Sequence, residues 1–259
     1  MKKILKSILG PKTLKLLGKV KFAFSPYLVE ESKEVIDRRQ KFYNQFISPN
    51  DLVFDIGANV GNRTRPLLNI GAKVVAVEPQ KKCQKILKKT FGNEINIVPM
   101  GVGEMEDIKD FFVSNAHTIS SFSTEWIESV KKDRFKEYTW SRPIKIQITT
   151  LDKLIEKYGL PKFIKIDVEG YELEVLKGLT CAVDMISFEY TVPEQIQRAI
   201  DCISQIEKYN SEIECNFSKG ESMEFALKNW RSVTDFKNYI STQEFISTDF
   251  GDIYVRKIS

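Results

Sequence analysis

Residues Val53 to Thr64 read VFDIGANVGNRT. An apolar run ends on Asp55 and passes at once into Gly57 and Gly61, the pattern of a buried strand, a small-residue turn and a helix start. In an open α/β sheet such a turn lies at the carboxyl end of a parallel strand, where ligands bind. Glu78 closes the next strand run, VVAVEP, 21 positions after Gly57. A carboxylate that grips a ribose is expected about 20 positions on. The turn therefore makes room for a ribose-bearing cofactor.

The glycine spacing narrows the choice of cofactor. Positions 57, 59 and 62 are Gly, Asn and Asn, so the Gly-x-Gly-x-x-Gly turn that cradles a pyrophosphate is missing and a nicotinamide cofactor is disfavoured. Asp55, just before the turn, is suited to a cationic amino group, as at the methionine end of S-adenosylmethionine. Asn59 serves either the ligand or, as a cap, the following helix. Asp55, Gly57, Asn59, Gly61 and Glu78, with Gly101 and Val102 closing the third strand run, form the expected cofactor set.

Outward from this turn, short β-rich runs alternate with helical stretches, which predicts a doubly wound α/β domain with a mostly parallel sheet. Seven core strand runs are legible: DLVFDIG, KVVAVEP, INIVPMGV, KFIKIDVEG, DMISFEY, EIECNF and DIYVRKI. The last two are expected to make an antiparallel edge. Residues 104–150, with IKDFFVS, HTISSFST and IKIQITT, read as an inserted segment before the fourth core strand, of the kind that shapes a substrate site.

Composition excludes several classes. No run of eighteen apolar residues exists, and lysines interrupt the N-terminal MKKILKSILGPKTLKLLGKVKF where a signal peptide would be continuously apolar, so a cytoplasmic protein is expected. Cys83, Cys181, Cys202 and Cys215 are widely spaced, as reduced thiols are rather than a zinc site or a disulfide framework. A net charge of +4 is too small to argue for nucleic acid, and Trp126, Trp140 and Trp230 are not interleaved with a basic stripe. Seven lysines do precede the first acidic residue, Glu30, among apolar stripes such as Ile4, Leu5, Ile8 and Leu9. Residues 1–45 are thus expected to be a basic amphipathic helical arm, either packed on its own domain or resting on an anionic membrane at the inner face. The domain proper is expected over 46–259.

FDIGANVGNRT, VVAVEPQ, TTLDKL, FIKIDVEGYELEVLKGL and ISFEY together resemble the FkbM family of S-adenosylmethionine-dependent methyltransferases, over about Asp51 to Tyr190. The resemblance implies a class I methyltransferase (Rossmann-like) fold with a seven-stranded sheet and O-methylation of a sugar, a glycan or a glycosylated metabolite. It carries Asp55, Gly57, Asn59 and Gly61 onto the cofactor loop, Glu78 onto the ribose-binding acid, and Asp167, Glu169 and Gly170 onto the family's most specific block. Asn62-Arg63 depart from the aromatic residue often found after that second glycine.

A sugar hydroxyl attacks poorly until its proton begins to leave, so a positioned base is expected. Asp167, at the carboxyl end of its strand on the same face as Lys165, leads, with Glu169 second. Either carboxylate also suits a backbone cap or the first turn of the next helix. His117, the single histidine, lies in the polar part of the insertion and is the third candidate, with Ser120 and Ser121 beside it as possible hydrogen-bonding groups. Glu189, ending its strand, would bind substrate or pair with Lys165. No metal is expected: Asp184, the third carboxylate weighed with Asp167 and Glu169, starts its strand at the wrong end. A catalytically inactive cofactor-binding sensor is the rival reading, and a nicotinamide-dependent oxidoreductase a more remote one.

Overall fold

The computed structural model describes residues 31–210 and 212–258. Residues 1–30, most of the expected arm, lie outside the described residues, and so does the expected membrane contact. From Ser32 onward the chain forms one compact unit. Its boundary thus falls before α1 (Lys33–Tyr43) and not at residue 46, because this helix carries core side chains. Ser32 caps it by accepting from the Val35 N–H, and Arg39, Phe42 and Tyr43 are buried. The Phe42 ring packs on Phe46, Phe225 and Tyr254.

Then follow β1 (Leu52–Ile56), α2 (Thr64–Ile70), β2 (Lys73–Val77), α3 (Lys81–Phe91), β3 (Ile95–Val98), β4 (Gly101–Val102), β5 (Asp107–Phe111), α4 (Thr124–Val130), β6 (Ile144–Thr149) and α5 (Leu151–Tyr158). The second half holds β7 (Phe163–Ile166), α6 (Glu172–Lys177), β8 (Met185–Thr191), α7 (Ile196–Glu207), β9 (Ile213–Lys219), β10 (Arg231–Ser232), α8 (Val233–Ile240), α9 (Gln243–Ile246) and β11 (Phe250–Lys257). The main sheet runs β10-β9-β11-β8-β7-β1-β2-β3. β3, β2, β1, β7 and β8 are mutually parallel, and β11 is antiparallel to both β8 and β9.

These are the seven expected core strands, with the two-residue β10 as an eighth at the edge. The last two of the seven, β9 and β11, pair antiparallel at that side of the sheet, with β11 the inner of the two. Five successive residues of β11, Gly251–Val255, are buried, so the strand needs neighbours on both sides and inserts between β8 and β9. INIVPMGV also divides: Pro99 has no N–H to continue a ladder, and Gly101–Val102 joins β6 and β5 in a separate three-stranded sheet. β5, α4 and β6 lie within residues 104–150, the expected insertion, while β4 lies before them. The insertion's own small core is Ile119, Trp126, Ile127 and Val130.

Alternation along the strands sorts the interior into two layers. Phe54, Ile56, Val75, Val77, Ile164 and Ile166 belong to one; Val53, Val74, Ala76 and Phe163 belong to the other, with Phe42 and Tyr43. Asp55 and Lys165, cross-strand partners on β1 and β7, take the same side as the second layer. Polar chemistry is thereby brought beneath α1. Replacing Phe42 by Ala should cost about 3–5 kcal/mol in urea unfolding, because the cavity opens in the middle of that aromatic cluster; a change under about 1 kcal/mol would show that α1 is only appended.

Candidate active site

A cleft opens at the carboxyl ends of β1, β2, β7 and β8; Asp55, Gly57, Asn59, Glu78, Gly101 and Val102 of the expected cofactor set line it with Asp167, Glu169, His117, Ser120 and Glu189, whereas Gly61, Ser121 and Gly170 do not. Gly57 has φ +82° and Gly61 φ +92°. Gly57 is glycine for a reason other than ligand approach: a Cβ there would stand 1.8 Å from the Asp167 carbonyl oxygen. It is the β1 and β7 turns that meet so closely. At Gly61 a Cβ would stand 2.3 Å from the Phe91 ring, so that glycine seats α3 behind the loop rather than touching the cleft.

Glu78 is held as a ribose acceptor would be. Its Oε2 accepts from the Asn59 N–H at 2.9 Å and its Oε1 from the Gln80 N–H at 2.7 Å. Each oxygen keeps a further lone pair for a hydroxyl. Burial pushes this carboxyl up to about 7, against the pull of those two N–H groups. Asn59, at φ +50°, also binds the insertion: His117 Nδ1 lies 2.7 Å from its Oδ1, and its Nδ2 donates to the His117 carbonyl at 3.3 Å. Gln80 Nε2 donates to that carbonyl at 3.0 Å. The short 3₁₀ turn His117–Ile119 is thus tied to the Glu78 end of the cleft. Ser121 Oγ donates to the Glu169 carbonyl at 2.7 Å, and Ser120 Oγ to Gln80 Oε1 at 3.3 Å. Phe111, Phe122 and Tyr171 form an aromatic wall, with Gly101 against Phe122.

On the other side of the glycine turn lies a buried ionic floor. Asp55 Oδ2 accepts from Thr64 Oγ1 at 2.6 Å, while its Oδ1 has no partner. Burial raises the Asp55 carboxyl above its ordinary range, against Lys165 and Thr64. Lys165, 2% exposed, donates through Nζ to Asp167 Oδ2 at 2.7 Å, so it pairs with Asp167 and not with Glu189. Burial would discharge this lysine; Asp167, Asp55 and Asp252 outweigh it and raise its pKa.

Asp167, Glu169 and Glu189 each bring a carboxylate oxygen within 4.8 Å of the others, a group able to hold a divalent cation. Glu189 takes the third place weighed for Asp184, which pairs with Lys162 at 2.8 Å elsewhere. Glu169 is not in the first turn of the following helix, as its alternative reading supposed. It sits in the preceding turn at φ +56°, and Glu172 heads the helix, taking the Val168 and Gly170 N–H groups on its Oε1. Burial first, then Asp167 and Glu172, pushes the Glu169 carboxyl well above its usual range. Burial, Glu169 and Asp167 do the same to Glu189.

The aromatic wall, Gln80 and the cluster Arg39, Arg63 and Glu221 were not read from sequence as site residues. Phe111 and Phe122 come from the insertion, Arg39 from α1 and Glu221 from the β9–β10 connection, and only the fold brings these to the strand ends; Gln80, Arg63 and Tyr171 lie close in sequence to Glu78, Gly61 and Glu169. The unpartnered Asp55 Oδ1 and the backbone-braced Glu78 fit an ammonium and a ribose diol, the two ends of S-adenosylmethionine that the sequence pointed to.

A parallel sheet of this order with an antiparallel β11 inserted, a glycine turn after β1 and an acid after β2 is the architecture of a class I methyltransferase. Residues 55–231 match the methyltransferase FkbM domain, and the chain belongs to that family, whose domain is an S-adenosylmethionine-dependent methyltransferase. Over 149 residues it is 26% identical to the hexuronic acid methyltransferase AglP of Haloferax volcanii. The match covers 54% of each chain, so it spans about half the length of that relative. Among solved structures, precorrin-6y C5,15-methyltransferase from Geobacter metallireducens superimposes with a TM-score of 0.46 at 10% identity, covering 89% of this chain and 90% of that one. A TehB-like S-adenosylmethionine-dependent methyltransferase from Corynebacterium glutamicum gives 0.46 at 9%, over 96% and 100%. All four cysteines are free, and among the described residues no helix is long and apolar enough to cross a membrane.

Two tests follow from this geometry. Gly57→Ala should lower stability by about 1–3 kcal/mol without any ligand present, since the new methyl meets backbone at a positive φ; unaltered urea unfolding would return the glycine to a ligand role. For Glu78, a ribose diol donates to the ionised carboxylate. The affinity for S-adenosylhomocysteine should therefore rise with pH up to the group's value of about 7 and level off above it. Below that value the slope approaches tenfold per pH unit. Calorimetry on Glu78→Gln should give weaker binding and a flatter profile; an unchanged slope would assign the titration to another carboxyl.

Proposed function

We propose that this chain transfers a methyl group from S-adenosylmethionine to a hydroxyl of a sugar, a glycan or a glycosylated metabolite. The observation that carries the reading is the group of three carboxylates, Asp167, Glu169 and Glu189, at the end of β7 and β8, against the turn that holds Gly57. The hexuronic acid methyltransferase among its relatives supports a carbohydrate acceptor.

Bound over Gly57 and Glu78, S-adenosylmethionine supplies an electrophilic methyl group on a sulfonium. The chain's part is alignment and proton removal. Asp55 and Glu78 lie on neighbouring parallel strands and fix the donor side, and holding both reactants in line supplies up to about 7–11 kcal/mol of the barrier. Asp167, pinned through Oδ2 by Lys165, accepts a hydrogen bond from the acceptor hydroxyl and orients it. Glu169 takes the proton. Its proton affinity is raised by burial and by Asp167 and Glu172, and its positive-φ turn is fixed from both sides, by Ser121 on its carbonyl and Glu172 on the next N–H. Strained backbone held by its surroundings is characteristic of residues that work on a ligand. His117, bonded to Asn59, closes the ribose end. Asp167, first from sequence, becomes the orienting group because one of its oxygens is already occupied.

Incubation with isotopically labelled donor and a panel of neutral and acidic sugars and glycans, followed by mass spectrometry, tests the reading; a methyl group recovered only on protein, nucleic acid or a nitrogen would overturn it. Within it, Glu169→Gln should lower kcat by about 10²-fold or more with S-adenosylhomocysteine affinity little changed. Asp167→Asn should raise KM for the acceptor as well as lower kcat. Near-normal turnover of Glu169→Gln would move the base to Asp167 or Glu189.

A further inference from the structure

Arg39 and Arg63, from α1 and the start of α2, meet at one flank of the cleft. Their side chains are only 6% and 10% exposed, whereas Glu221, the carboxylate they share, is 54% exposed. Arg63 gives Glu221 a single nitrogen: Nη2 lies 2.8 Å from Oε1 and 2.7 Å from Oε2. Arg39 donates through Nη2 to Glu221 Oε2 at 3.2 Å and through Nη1 to the Asn62 carbonyl at 3.3 Å. Nη1 of Arg63 has no hydrogen-bond partner.

A guanidinium presents its donors as a fork, and a carboxylate frequently takes two of its nitrogens in parallel. Here Glu221 takes one, and the buried Asp252 is a further anion acting on Arg63. What remains on Arg63 is the vacant donor Nη1. Beside it is its complement: Thr64, the next residue after Arg63, donates to Asp55 Oδ2, and Asp55 Oδ1 is the buried acceptor without a partner. An unused donor on a cation and an unused acceptor on an anion are thus carried by side chains joined through a single residue.

We propose that Arg63, braced by Arg39 and Glu221, is a carboxylate-binding residue of this cleft. The inference rests on the S-adenosylmethionine-dependent reading above. The carboxylate has two available sources of the same chemistry. One is the amino-acid end of the methyl donor, whose ammonium and carboxylate sit on one carbon and match Asp55 and Arg63 together. The other is an acidic acceptor sugar. On the first, Glu78 would hold the donor's ribose, Asp55 its ammonium and Arg63 its carboxylate.

Two calorimetric comparisons separate the sources. S-adenosylhomocysteine carries the amino-acid end, and 5′-methylthioadenosine lacks it while keeping the adenosine. Wild-type protein should prefer the former. Arg63→Gln should weaken S-adenosylhomocysteine by about tenfold or more and leave 5′-methylthioadenosine within about twofold, which also reports that the variant is folded. In the second arm glucuronate and glucose are titrated into protein saturated with S-adenosylhomocysteine. A preference for glucuronate that Arg63→Gln abolishes, with donor binding intact, assigns the carboxylate to the acceptor. Arg63→Gln with both preferences at wild-type values overturns the proposal. If that variant does not fold, Arg63→Lys keeps the charge but not the fork, and the same two ratios decide. Wild-type protein that binds neither adenosine compound would instead remove the donor reading itself.

Discussion

Lys165 is an ammonium on a central strand, flanked by β1 and β8 and almost wholly out of water. Such a charge persists only when it is paired and hydrogen-bonded, and deleting one partner of a buried pair typically costs about 3–5 kcal/mol. Its compensation comes from Asp167 two residues on, from Asp55 directly across on β1, and from Asp252 on β11. Asp55 belongs to the donor side of the proposed reaction and Asp167 to the acceptor side. One ammonium therefore couples the two halves of the site, and the strand register sets the spacing between them. Placing both carboxylates on adjacent rigid strands gives a precision that loops do not supply.

Around this floor the loops are fitted against one another more than against a ligand. Gly57 is shaped by the Asp167 carbonyl, Gly61 by Phe91, Gly101 by Phe122 and Ile148, and Gly170 by Trp126. The insertion is fastened at both ends of the cleft, by His117 to Asn59 and Gln80 and by Ser121 to Glu169. Its Ser/Thr-rich sequence is accounted for by these contacts: short hydroxyl side chains reach backbone and neighbouring polar groups across a narrow gap where longer ones would not fit. The roof and the proposed base are in this way one mechanical unit.

The sheet, its parallel half and the glycine turn were legible because they are written locally, in apolar runs that alternate with helices and end on Asp55, Glu78 and Asp167. The position of β11 was not, since GDIYV mixes Gly251 and Asp252 with its apolar residues, and that all five are buried is seen only in the fold. Nor was the split at Pro99, which changes sheets without changing the apolar pattern. Residues 33–45 read as part of a basic arm because of the lysines before them, although Phe42 and Tyr43 signal a buried face. The departures from the family pattern proved as informative as the matches. Asn62-Arg63 stood out as an irregularity in sequence, and the fold sets it against Arg39 and Glu221, residues separated from it by 23 and 158 positions.

The charge of the cleft is divided, with guanidinium groups at one flank and carboxylates crowded at the end of β7 and β8. That division has a bearing on the direction of the proposed chemistry. Methyl transfer from a sulfonium to a hydroxyl removes a positive charge from the donor and leaves a proton to be placed. Carboxylates as close as Glu169 and Glu189 cannot both ionise without repulsion, and Glu169 raises the proton affinity of Glu189. A cationic donor relieves that repulsion while it is bound, and the released proton relieves it once the cation is gone. The crowding that costs stability in the empty cleft thus favours binding of the charged donor first and uptake of the proton afterwards, with Lys165 holding Asp167 in place through both.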